Sequence, residues 1–149
     1  MINGRAVFLV LALMFFSANY VFAAQWIFEK KLPETQSLQV KQESLIQQNA
    51  DITEIISLTD RAMDKITEID KECGEVSSIR RSSYDDIYTD CLETKHGIAK
   101  VAATMKINAA QDCAQKGLVD KAKELYREVI ITFTGDSYRL YVKQAEFGL

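Results

Sequence analysis

The residues best equipped for chemistry in this sequence are three cysteines, Cys73, Cys91 and Cys113, and a single histidine, His96. His96 falls at a polar helical position and reads as a solvated side chain, not a general base. A structural zinc site would need all three cysteines together with His96. These are strung along long helical segments, too far apart for one tetrahedral set. No Cys-x-x-Cys pair is present, so neither a thioredoxin-like centre nor a zinc knuckle is implied. Asp85, Asp86 and Asp90 form an acidic cluster, but they stand where a helix begins. Complementarity to the positive end of the helix dipole accounts for them more simply than metal binding or acid–base work. Arg80 and Arg81 beside them read as a solvated turn. Gly-x-Ser-x-Gly, His-Glu-x-x-His and phosphate-loop patterns are all absent. The sequence therefore implies no catalytic residues, no metal and no cofactor. An enzyme built on an unrecognised acidic site is the weaker alternative.

What the cysteines do depends on where the chain goes. Arg5 is followed by an apolar run from Ala6 to Phe16, then Ser17, Asn19 and Tyr20, then Val21-Phe22-Ala23-Ala24. A basic start, a short apolar stretch and small residues before a cut form an export signal, with cleavage between Ala23 and Ala24. The rival reading is an uncleaved anchor. Ala6 to Phe28 is long enough to span a bilayer, with Trp26 and Lys30-Lys31 at the interface, although Ser17, Asn19 and Gln25 weaken it. Cleavage removes Arg5 and takes the formal net charge from −3 to −4. That balance argues against a nucleic-acid partner, which calls for a basic face. No Asn-x-Ser/Thr site occurs, in keeping with a bacterial periplasmic location. Export places the thiols in an oxidising compartment, where they tend to pair. Cys91 and Cys113 would lie about 33 Å apart along one straight helix, whereas bonded cysteines need Cα atoms within about 7 Å. Cys73–Cys91 is the one feasible internal bridge. It is offset in a symmetric hairpin, so the helix ends would have to bend.

One proline and six glycines in 149 residues favour long helices. After residues 1–23, a lead of residues 24–34 ends beside Pro33, which suits a first helical turn. From Thr35 to Glu72 neither glycine nor proline occurs. A line recurs every seven, apolar but for one threonine (Leu38, Leu45, Ile52, then Thr59, Ile66 and Cys73), with a second line at Ile55, Ala62 and Ile69. Lys41 and Gln48 weaken the seam early on. The spacing predicts one helix of about 55 Å, stopped by Gly74. A polar turn, Glu75 to Ser82, leads to a second helix that starts at Ser83 to Asp86 and runs to about Lys116. Its stripe is Tyr84, Ile87, Tyr88, Cys91, Ile98, Val101, Ala102, Met105, Ala109 and Cys113. Lys95 interrupts the stripe, and His96-Gly97 suggests a bend. Two long helices with opposing stripes form an antiparallel hairpin over residues 35–116. Gly117 breaks the chain. Asp120 can cap a third helix, which Thr134-Gly135 ends, and Asp136 or Ser137 can cap a fourth. The expected fold is all-α, a long helical hairpin followed by a helix pair over 117–149, packed as one domain.

The last third carries the most specific pattern. Gly117, Ala122, Tyr126 and Val129 stand at the turn, small, aromatic and aliphatic positions of a tetratricopeptide repeat's second helix, which they resemble. Phe133 to Tyr138 through Ala145 is similar to the link and following helix of such repeats in bacterial envelope proteins. The usual link proline is replaced by Thr134 or Gly135, the first helix lacks the family tryptophan, and Cys113 stands for the usual tyrosine. The resemblance covers about Val101 to Leu149. It implies a protein that binds proteins or peptides and performs no chemistry. The expectation is thus an exported helical scaffold or interaction module, periplasmic, with a protein partner or a second copy bound. A membrane-anchored coiled coil is the alternative if the leader is retained.

Overall fold

The computed structural model describes residues 29–78 and 85–149. The signal with Ala23 and Ala24, the candidate anchor, and the segment holding Arg80, Arg81, Ser83 and Tyr84 lie outside the described residues. The protein is all-α, and among the described residues there is no strand. Among the described residues five helices follow one another: α1 (29–47), α2 (Ile52–Ser78), α3 (Asp85–Gln115), α4 (Val119–Thr132) and α5 (Arg139–Gly148), with a 3-10 turn at Asp136–Tyr138 before α5.

The single helix expected from Thr35 to Glu72 is two helices. Asn49 adopts a left-handed backbone, φ 54°, which asparagine tolerates better than most side chains. The amides of Asn49 and Ala50 bond back to the carbonyls of Ile46 and Leu45, both at 3.0 Å. This is the Schellman closure of a helix C-terminus. Asp51 then restarts the chain, its Oδ1 accepting from the Thr53 amide at 2.7 Å as an N-cap. The Thr53 side chain first, and then its amide, hold the Asp51 carboxyl below the usual aspartate range. Helix is already formed at residue 29. Pro33 therefore lies within α1 and leaves the carbonyl of residue 29 without its amide partner.

The expected stop at Gly74 is also corrected. α2 runs on to Ser78, because Val76 is drawn into a small core with Ile69, Cys73, Ile87, Cys91 and Ile98. The gain from that burial exceeds the roughly 1 kcal/mol cost of an interior glycine. This extension removes the expected offset between the cysteines. Cys73 and Cys91 now stand nearly equidistant from the hairpin link, and their Cα atoms are 5.7 Å apart. The Lys95–Asp70 ion pair continues the same antiparallel register.

α1 packs along both arms of this hairpin. Its deepest positions are polar: Thr35 and Gln42 are fully buried, while Leu38 and Leu45 beside them are half-buried. Gln42 Nε2 donates to Thr59 Oγ1 at 2.7 Å and to the Met105 carbonyl at 3.0 Å, so one carboxamide joins three helices. Leu32 covers Gly97 closely enough that an added Cβ would meet its side chain at 3.0 Å. Lys31 Nζ pairs with Glu72 at 3.0 Å and Glu68 at 3.2 Å, and Lys65 pairs with Glu68 at 3.0 Å. Burial works against the Lys31 ammonium, but the two glutamates outweigh it and raise its pKa. The Lys65 hydrogen bond, with Lys31 behind it, lowers that of Glu68.

From Ile98 onward α3 is enclosed on nearly every side. Ala99, Ala102, Ala103, Ala109 and Ala110 are buried together with Met105, Ile107 and Cys113. The sequence stripe covers only one side of this helix, and Tyr88 within it is exposed. α4 and α5 close the far side through Ala122, Leu125, Tyr126, Val129, Phe133 and Ala145. Gly148 lies so close to Tyr126 that a Cβ there would sit 2.3 Å from the ring.

Two measurements check this packing. Ala102→Leu, which adds volume where α3 is fully enclosed, should lower the unfolding free energy by about 1–3 kcal/mol in a urea titration. The lowered pKa of Glu68 means that its contribution is complete above the unfolded glutamate pKa and is lost as pH falls through the folded one. The melting temperature should therefore drop on acidification below about pH 4.5, and Glu68→Gln should flatten part of that drop. The effect is small because Glu68 is half exposed to solvent.

Candidate functional site

Among the described residues no three His, Cys, Asp or Glu side chains converge as a metal ligand set. Asp86 and Asp90 are exposed at the start of α3. His96 is exposed too, and its ring packs at 6.1 Å from that of Tyr138. The Tyr138 ring also meets that of Phe133, at 5.7 Å. His96 is thereby part of the seat on which the α4–α5 corner rests.

The residues singled out for repeat-like packing occupy one region. Gly117 turns the chain with φ 78°, and the amide of Leu118 closes α3 on the Cys113 carbonyl at 2.8 Å. Ala122, Tyr126, Val129 and Ala145 are buried in the core shared with Ala109, Ala110 and Cys113, and Tyr138 packs half-buried against it. The caps differ from expectation. Leu118 and Gly135 precede α4 and the 3-10 turn, and neither makes a side-chain capping bond. Asp120 lies inside the first turn of α4, where its charge still favours the helix N-terminus. Asp136 lies inside the 3-10 turn.

Cys73 and Cys91 are brought to bonding distance at the closed end of the hairpin. Cys113 is a free thiol, fully buried between α3 and α4. Burial, and then the Asp112 carboxylate, push its pKa up, which leaves it a poor nucleophile. Burial likewise raises the pKa of Tyr126 next to it.

Two surface features of the described residues stand out. The first is a groove of about 240 Å³ between α1 and α3, lined by Glu43, Ile46, Gln47, Asn108, Gln111, Asp112 and Gln115. Residues 108, 111, 112 and 115 share one face of α3 by helical spacing. At the groove's end Lys116 Nζ donates to Asp112 Oδ2 at 2.8 Å and to the Ala50 carbonyl at 2.6 Å. That lysine fastens the end of α3 to the junction between α1 and α2. Gln39 Nε2 donates to Glu43 Oε1 at 2.9 Å.

The second surface is the outer side of α4 and α5. Ile131 is 74% exposed, Leu140 81% and Phe147 92%. Leu140 and Phe147 are seven residues apart and share one helical face. Neither surface stood out in the sequence. The groove residues are nearly all polar and give no apolar stripe, while Leu140 and Phe147 fall outside the line that Tyr138, Tyr141, Val142, Ala145 and Leu149 make along the last helix of the sequence. The available signal was the three-four spacing of amides at 108, 111 and 115, opposite the alanines.

No protein-family model, no curated protein and no solved structure matches this chain.

The cysteines give a direct check. In the native protein Cys113 should resist alkylation by iodoacetamide and become reactive only with global unfolding in urea. Replacing both Cys73 and Cys91 by alanine should leave the helical circular-dichroism signal intact. It should lower the unfolding free energy by about 2–4 kcal/mol, as expected for releasing a short closed loop.

Proposed function

We propose that this chain is an exported, non-catalytic helical module that works by binding another protein. The observation that carries the reading is the pair of large apolar side chains, Leu140 and Phe147, left in water on one face of α5 while the core behind them is filled. An isolated exposed apolar residue is ordinary, but bulky side chains repeated on one helical face mark a contact surface. The resemblance of residues 101–149 to tetratricopeptide repeats supports the same conclusion, since such repeats present faces to other polypeptides. Export to an oxidising compartment, with the bacterial periplasm as the natural setting, is supported by the leader that ends at Ala23 and by the Cys73–Cys91 pair.

The described chemistry gives a reaction little to work with. The free thiol is buried and held protonated, and the histidine is exposed and engaged with a tyrosine ring. The described helices hold no stretch long and apolar enough to cross a membrane.

The test is a photo-reactive residue placed at position 147 in the native host. Irradiation should join the chain to one discrete protein, and Leu140→Asp should abolish the adduct. A chain that yields no adduct, or that turns over a substrate at a defined cleft, would contradict the proposal. Intact mass of the isolated protein should show a chain that begins at Ala24. Retention of Met1 would move the protein to the anchored coiled-coil reading.

A further inference from the structure

The groove between α1 and α3 has a chemistry that its volume and its bonding make specific. Its six polar lining residues are four carboxamides, Gln47, Asn108, Gln111 and Gln115, and two carboxylates, Glu43 and Asp112. Among the described residues none of the four carboxamides has a hydrogen-bond partner. Asp112 is neutralised by Lys116. Glu43 accepts only from the uncharged Gln39 and has no cationic partner among the described residues. The site therefore offers neutral paired donors and acceptors along its length and one uncompensated negative charge at its side.

A carboxamide presents an N–H donor and a C=O acceptor together, as the peptide group does. The run from Asn108 to Gln115 rises about 10 Å along α3. An extended chain covers that length with about three residues and presents fresh N–H and C=O groups at each. At about 240 Å³ the groove is smaller than the 300–1,000 Å³ usual for a cofactor or drug-sized ligand. That size suits a strip of main chain. The half-buried Ile46 adds an apolar contact for the strip.

We propose that this groove binds an extended segment of a partner protein. Its main chain pairs with the carboxamides of Gln47, Asn108, Gln111 and Gln115, and a lysine or arginine of the segment pairs with Glu43. The inference rests on the interaction-module reading and assigns it a second surface, separate from the apolar face of α5. Two features fix the groove's shape before a ligand arrives. Gln42, next to Glu43, is anchored to α2 and α3. Lys116 ties α3 to the carbonyl that follows α1. A preformed groove spares the ligand the cost of ordering it.

The test uses the full chain as its host processes it, labelled with 15N, and three pools of blocked nine-residue peptides. The pools are randomised except for a central arginine, glutamate or leucine. The arginine pool should shift the side-chain amide signals of Asn108 and Gln111. Glu43→Gln, an exposed and fold-neutral change, should weaken that response about threefold to tenfold, as should raised salt. Asn108→Leu should abolish it while circular dichroism stays unchanged. An equal response to the glutamate pool, or no shift at the groove amides with any pool, would overturn the assignment. So would shifts that arise on concentrating the protein alone, because a second copy would then be the occupant. Peptide-induced shifts confined to α5 would remove the groove and leave the interaction reading standing. That reading falls separately, if the cross-link at position 147 captures nothing.

Discussion

Five alanines on one helix set the limits within which this structure is built. α3 is approached by α1, α2, α4 and α5, and helices can come that close only where the side chains between them are short. Ala99, Ala102, Ala103, Ala109 and Ala110 meet that need, and each is almost completely shielded from water. The larger neighbours Ile98, Met105 and Ile107 then fill the spaces between the approaching helices. The start of α3, from Asp85 to about Glu93, lacks such a run. There it meets α2 through a smaller core in which the paired cysteines sit.

This arrangement explains why the polar anchors are where they are. A helix surrounded by others must still be fixed in rotation and height, and nonpolar contacts alone fix these loosely. Gln42 supplies a directional tie at the centre of the α1–α2–α3 junction, and Lys116 another at its end. Lys106, almost wholly buried on α3, reaches Glu128 on α4 and does the same on the other flank. Each of these groups would be costly to bury alone. Removing either member of such a pair should cost more than the pair contributes intact.

The sequence was most legible where apolar spacing and burial coincide. Ile55, Ala62 and Ile69 form the line expected from the heptad pattern, and all three are fully buried. The α2–α3 hairpin follows from that line and its counterpart on α3. Legibility failed where tertiary contacts overrode local signals. Gly74 resembles a helix stop, but the packing of Val76 carries the helix past it. The break near residue 50 was written in Asn49 and in Asp51-Ile52-Thr53-Glu54, an asparagine stop followed by a capping pattern. It is easily missed because neither glycine nor proline marks it. α1 was hardest to read, since the residues turned furthest inward are Thr35 and Gln42, and a polar residue gives no periodic apolar signal. The groove amides were legible only in part. The spacing of Asn108, Gln111 and Gln115 lies in the sequence, but their placement opposite Glu43 and Gln47 of α1 is a relation that spacing along one helix does not contain.

The position of the thiols along the chain has a consequence for how the molecule matures. Cys73 and Cys91 lie 18 residues apart, on either side of a short link, and Cys113 follows 22 residues later. Growth from the N-terminus brings the first two into the open ahead of the third. If they meet an oxidant on emergence, the correct partners can join while the competing sulfur is still enclosed, and α4 later seals Cys113 out of reach. Under such oxidation, order of arrival would favour the correct pair, an advantage that a chain with the odd cysteine placed between the other two would lack.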